Sequence, residues 1–137
     1  MTCYRVLIVD DEPGLRRTLE RALRGHHYDV VSVGDPNSAY QMLGETSFDV
    51  VLLDLRLPQI SGDTFFLAIT RKWPRLLGRV ILMSGDPLPP HPDWPIELAG
   101  CPVLHKPFSL DTLRTTVSAV LADLEPDSGI REGNGNP

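Results

Sequence analysis

Val50-Val51-Leu52-Leu53 runs without a break into Asp54, and the chain then leaves through Leu55-Arg56-Leu57-Pro58-Gln59-Ile60-Ser61-Gly62. Four consecutive apolar residues, two of them β-branched, predict a strand covered on both faces, as in the middle of a parallel sheet. A carboxylate is costly in that interior but tolerable at the strand's carboxyl end, where α/β proteins open a crevice for ligands. Pro58 and Gly62 mark a loop, so Asp54 is expected at the rim with no partner adjacent in sequence. Taken alone, such an aspartate also reads as the cap of a turn. The rest of the chain decides between the two.

The same figure recurs on either side. Residues 4 to 9, Tyr-Arg-Val-Leu-Ile-Val, predict a first strand that ends in Asp10-Asp11-Glu12-Pro13. Pro13 suits the first turn of a helix, Leu15, Leu19, Ala22 and Leu23 form its buried stripe, and Gly25 ends it. Negative charge at that helix's amino end is also favoured by its dipole, a second reason for acids there. Asp29 to Val33 predicts the second strand, and Asp35-Pro36-Asn37-Ser38 starts a helix that turns Ala39, Met42 and Leu43 inward. Asp63 to Trp73 predicts a third helix with Phe65, Phe66 and Ile69 inward and Pro74 ending it. The fourth strand, Arg79 to Met83, closes on Ser84-Gly85-Asp86.

Pro87, Pro89, Pro90, Pro92 and Pro95 then fall where a helix is due, each lacking a backbone donor, and leave room for one turn around Ile96 to Ala99. Pro102 to His105 predicts a short fifth strand, followed by Lys106-Pro107-Phe108. A last helix begins near Ser109 as N-cap and buries Leu110, Leu113, Val117, Val120, Leu121 and Leu124. Residues 1–125 therefore read as one domain, and 126–137, poor in apolar residues, as a disordered tail or truncated linker.

Composition narrows the function classes. A chain of 137 residues that is 42% hydrophobic suits one compact core. Its net charge of -5 argues against nucleic acid or an anionic membrane as a direct partner. Without a bilayer-length apolar run or a signal peptide, a cytoplasmic location is expected. Cys3 and Cys101 read as reduced, semi-buried thiols. His26, His27 and His105 are not assigned to metal: the first two follow a helix end and the third sits on a strand edge.

Alternating strands and helices imply a parallel sheet with right-handed crossovers, in which all strand carboxyl ends share one edge. Asp10, Asp11, Asp54, Ser84 and Lys106 all fall on that edge. Three carboxylates brought close should repel and raise the pKa of at least one unless a cation sits among them. Hard oxygen ligands of this kind suit Mg²⁺. Lys106 adds a mobile positive charge and Ser84 a hydroxyl, the parts that hold phosphoryl oxygens, so the edge reads as a phosphoryl-transfer site.

The motifs Val9-Asp10-Asp11-Glu12, Asp54 with Leu57-Pro58 and Gly62, Ser84-Gly85, and Lys106-Pro107-Phe108 closely resemble the receiver domain of two-component response regulators. The match runs from about Tyr4 to Leu124. The resemblance implies a three-layer α/β/α flavodoxin-like fold with a five-stranded parallel sheet in order 2-1-3-4-5, its fourth helix shortened or replaced by the proline-rich loop. It implies Asp54 as phosphoacceptor, Asp11 as a direct Mg²⁺ ligand, Asp10 as a ligand reached largely through water, and the Arg56 backbone carbonyl in the metal shell. Ser84 and Lys106 would each hold a phosphoryl oxygen, and the bond before Pro107 would be cis. The donor would be a phosphohistidine on a sensor histidine kinase or phosphotransfer protein, and output would pass to a homodimer or a protein effector. A receiver of this kind catalyses its own phosphorylation and hydrolysis without being an enzyme in the ordinary sense.

Two departures stand out. Val103 occupies the position three before the lysine where the family usually has an aromatic residue, and prolines displace the fourth helix. Output is therefore expected through ordering of the loop from Gly85 to Gly100, with Trp94, Ile96 and Leu98 either offered to a partner or covering the sheet. Rival chemistries lack their parts. An aspartyl-phosphate hydrolase of the haloacid dehalogenase type needs a second Asp where this chain has Arg56. A serine hydrolase needs a glycine before Met83-Ser84-Gly85 in the nucleophile-elbow pattern, and no glycine-rich nucleotide motif is present.

Overall fold

The computed structural model describes residues 3–25, 27–85 and 96–124. Five strands, β1 (Tyr4–Val9), β2 (Tyr28–Val33), β3 (Val50–Asp54), β4 (Val80–Ser84) and β5 (Val103–His105), alternate with helices α1 (Pro13–Arg24), α2 (Pro36–Glu45), α3 (Gly62–Lys72), α4 (Ile96–Ala99) and α5 (Leu110–Leu124). The strands pair in parallel in the order β2-β1-β3-β4-β5. This is the doubly wound order expected above, with β3 central and buried at every residue.

Strand alternation divides the core into two halves. Val6, Ile8, Val50, Leu52, Ile81 and Met83 pack against Leu19 and Leu23 of α1 and Leu113 and Val117 of α5. On the other face Leu7, Val9, Val51, Leu53 and Leu82 meet Ala39 and Leu43 of α2, Phe65, Phe66 and Ile69 of α3, and Leu98 of α4. Because consecutive residues of β3 serve opposite halves, neither half can shift register without exposing the other. The three layers thereby hold the strand ends at fixed spacing along one edge.

Several boundaries and burials differ from expectation. Arg79 lies outside β4, which begins at Val80 and continues through Ser84, so the hydroxyl residue belongs to the sheet instead of the loop after it. A single 3-10 turn, Pro74–Leu76, follows α3 and buries Leu76, because Pro74 fits a first helical position as well as it ends the preceding helix. Leu15 is half-buried and Leu110 is 38% exposed. Leu110 opens α5 and lines an apolar groove with Leu15 and Phe108 beside Lys106, so the core begins one turn later at Leu113. Cys3 is exposed because it precedes β1, while Cys101 is half-buried. Burial pushes the Cys101 thiol up to about 11, in keeping with a reduced, unreactive side chain.

The proline-rich run 86–95, the tail 126–137 and His26 lie outside the described residues, as do the side chains of Ile96 and Leu124 and the whole of Trp94. Of the loop residues named above, Leu98 is buried and covers the sheet. Among the described residues, no helix is long and apolar enough to cross a membrane.

Candidate functional site

Each functional side chain stands where a strand gives out. Asp10 follows β1, and its backbone N–H still donates to Val33 O at 3.1 Å, a last rung before β1 and β2 part. Asp54 closes β3, where Leu55 N donates to Met83 O at 2.9 Å. Ser84 closes β4, and its carbonyl accepts from the Lys106 N–H at 2.7 Å, tying the lysine's backbone to the adjacent strand end. The Lys106–Pro107 bond is cis.

The loop that follows Asp54 folds back on itself. Gly62 N donates to Leu55 O at 3.0 Å and Arg56 bridges antiparallel to Ser61. A Cβ on Gly62 would lie 2.5 Å from the Leu55 Cα and 2.9 Å from the Asp54 carbonyl oxygen, both rigid backbone atoms, so this close approach requires glycine. Gly62→Ala should lower stability by about 1–3 kcal/mol through overpacking and displace Asp54 with its loop. A urea midpoint indistinguishable from wild type would show that the loop absorbs the methyl group.

Charge at the site is concentrated and largely dry. Asp10 is 0% and Asp54 4% exposed, whereas Asp11 faces solvent. One carboxylate oxygen from each of the three lies within 4.8 Å of the others. The Lys106 Nζ donates to Asp10 Oδ2 at 2.8 Å and lies 3.4 Å from Asp54 Oδ2. Asp10 Oδ1 accepts the Glu12 backbone N–H at 2.9 Å, and Asp54 Oδ1 accepts the Arg56 backbone N–H at 3.0 Å. Asp54, expected above at the rim with no partner adjacent in sequence, is instead buried and takes a bond from a residue two positions on. The turn that carries the chain away from β3 aims an N–H back at it, so the turn-capping role and the site role coexist.

The expectation that crowding raises an acid's pKa holds in direction but differs in cause. Burial pushes the Asp54 carboxyl above the usual carboxylate range against the Arg56 N–H bond, while the Asp10 charge adds a smaller push and Lys106 opposes it. For Lys106, burial works to lower its pKa but is outweighed by bonds and attraction to Asp10 and Asp54, which hold it above the ordinary lysine value. A buried carboxylate short of compensation, flanked by two other acids, is a hard-oxygen donor set that fits a small divalent cation. Val103 is half-buried on β5, where it packs against the α2/α3 half of the core.

The pattern-based reading of the site overlooked Arg16. Its Nη1 donates to the Asp10 carbonyl at 2.6 Å from α1. The available signal was an arginine on the first full turn after an acidic strand end, which helical periodicity alone marks as solvent-facing.

The response regulator receiver domain family model matches residues 6–118. The chain belongs to that family, whose members are the phosphoacceptor modules of two-component signalling. It is 32% identical over 131 residues to the response regulator protein PilR of Pseudomonas aeruginosa, covering 93% of this chain and 28% of PilR. It is 28% identical over 138 residues to the response regulator MprA of Mycolicibacterium vanbaalenii, covering 93% of this chain and 54% of MprA. The chain spans between 16% and 54% of the lengths of the curated relatives it matches. Among solved structures, the chemotaxis response regulator CheY4 of Vibrio cholerae is 26% identical with a TM-score of 0.74, covering 87% of this chain and 99% of that one. The response regulator TrrA of Thermotoga maritima, solved in complex with Mg(2+)-BeF, is also 26% identical, with a TM-score of 0.72 and coverage of 85% and 98%.

Proposed function

We propose that Asp54 accepts a phosphoryl group from a phosphohistidine on a sensor histidine kinase or phosphotransfer protein. The observation that carries this reading is the setting of Asp54: a buried strand-end carboxylate with Lys106 at 3.4 Å and Asp10 and Asp11 within 4.8 Å. In the transfer an Asp54 oxygen bonds to phosphorus as the P–N bond breaks, and the electron pair returns to the imidazole, which takes up a proton. The Arg56 N–H bond to Oδ1 holds the carboxylate in one orientation, leaving Oδ2 toward Lys106. Lys106, shared between two carboxylates, moves its ammonium to a phosphoryl oxygen, and Ser84 at the neighbouring strand end donates its hydroxyl to another. Water later cleaves the acyl phosphate, restoring Asp54.

Mg²⁺ fits the donor set of Asp10, Asp11, Asp54 and the Arg56 backbone carbonyl, and when bound it neutralises charge on the transferring oxygens. TrrA, crystallised with Mg(2+)-BeF, supports this assignment. We further propose that the receiver unit occupies residues 1–125 and works in the cytoplasm, with a homodimer or protein effector as its output partner and no direct contact with nucleic acid.

Incubation with an acyl phosphate donor tests the reading. Intact mass should rise by one phosphoryl group in the presence of Mg²⁺ and not after chelation. Equal labelling without the cation would remove Mg²⁺ from the scheme.

A further inference from the structure

Arg16 reaches from α1 to the end of β1 in an unusual way. Its backbone N–H is committed to the helix, donating to Glu12 O at 3.0 Å, while its half-buried guanidinium turns back to the Asp10 carbonyl, with Nη1 at 2.6 Å. Gly34, immediately after β2, makes room for it: a Cβ there would sit 2.8 Å from the same Nη1 and 3.4 Å from Cζ. The backbone of Asp10 is therefore held on both sides, through the two peptide groups that flank its Cα. Its N–H is held by Val33 O on the β2 side, and its carbonyl is held by the guanidinium that passes Gly34.

That carbonyl belongs to the peptide plane joining Asp10 to Asp11. Fixing its direction fixes the backbone rotation after the buried Asp10 and so the direction in which the exposed Asp11 leaves. Asp11 has no burial of its own to orient it. We propose that Arg16, seated under Gly34, is a positioning residue that holds the Asp10–Asp11 peptide so that both carboxylates converge with Asp54. The role is separable from simple electrostatics, since a positive charge placed near a cation site should weaken cation binding and its removal should strengthen it.

The inference rests on the reading that Mg²⁺ binds at the three acids, and the test distinguishes the two. Mg²⁺ binding is measured by titration calorimetry on the wild type, Arg16→Ala, Arg16→Lys and Gly34→Ala, with thermal unfolding of each in parallel. Gly34→Ala matters most, because the group its methyl meets is the far end of a flexible side chain. It should displace the guanidinium while leaving the core and the acids themselves untouched. The expected result is a dissociation constant about tenfold higher in Arg16→Ala, as for loss of a group that orients metal ligands. Gly34→Ala should weaken binding in the same direction with near wild-type unfolding, and Arg16→Lys should recover part of the loss. Wild-type affinity in both Arg16→Ala and Gly34→Ala would overturn the proposal, whatever their stabilities. Tighter binding in Arg16→Ala would overturn it in favour of charge repulsion. Absence of Mg²⁺ binding in the wild type would overturn the metal reading and this inference with it.

Discussion

Lys106→Ala should destabilise the cation-free protein by about 3 kcal/mol, the low end of the loss caused by removing one partner of a buried ion pair. Asp10 is 0% exposed and its Oδ2 receives the lysine ammonium at 2.8 Å, so among the described residues the truncation leaves that carboxylate only the Glu12 N–H to compensate it. The lysine side chain is itself 22% exposed, which lets water reach the vacated space and keeps the loss from being larger. Mg²⁺ should recover part of this stability, because a cation among the acids replaces the missing charge. Urea unfolding with and without Mg²⁺ measures both effects. A midpoint unchanged from wild type would mean that the pair contributes nothing beyond contact.

Asp54→Asn should act in the opposite direction, stabilising the cation-free protein at neutral pH. The sign comes from burial as the main cause of the raised carboxyl pKa. As pH rises through the ordinary aspartate value the unfolded chain loses its Asp54 proton first, so this group's contribution favours folding at acid pH and declines until the folded carboxyl has also ionised. The usual stabilised carboxylate behaves the other way round. An uncharged isostere removes that decline, so the difference between variant and wild type should be small near pH 3 and grow toward neutrality. Mg²⁺ at ten times its dissociation constant should stabilise the wild type by about 1.4 kcal/mol and the variant by much less. A variant less stable than wild type at neutral pH without Mg²⁺ would show that Lys106 and the Arg56 N–H outweigh burial.

Most of the architecture was legible because strand and helix signals were local. The apolar run Val50 to Leu53 and the acid at its end each act through backbone and burial rules that need no partner. The features that escaped depended on tertiary neighbours. Leu110 carries the periodicity of a core residue, yet the first turn of α5 overlies the Leu15–Phe108 groove. Ser84 reads as a loop residue, but pairing with β5 extends β4 through it. At the site, residue types and their common edge were legible, and their distances were not. The backbone bond from Arg56 to Asp54 arises from the turn's shape, the requirement for Gly62 from contact with Leu55 and the Asp54 carbonyl, and the grip of Arg16 on Asp10 from the space left at Gly34. Even the raised Asp54 pKa came from burial more than from the crowding of acids that the composition of the edge implies.

The location of the phosphoryl group tests the account most directly. Borohydride reduction of the acyl phosphate converts the modified aspartate to homoserine, and digestion with trypsin then separates the candidates, since Asp10 and Asp11 precede the cleavage site at Arg16 whereas Asp54 precedes the one at Arg56. After treatment with an acyl phosphate donor and Mg²⁺, homoserine should be found at position 54 in the wild type and at no position in Asp54→Asn. Conversion at Asp10 or Asp11, or undiminished conversion elsewhere in the Asp54→Asn protein, would contradict the assignment of Asp54 as the phosphoacceptor.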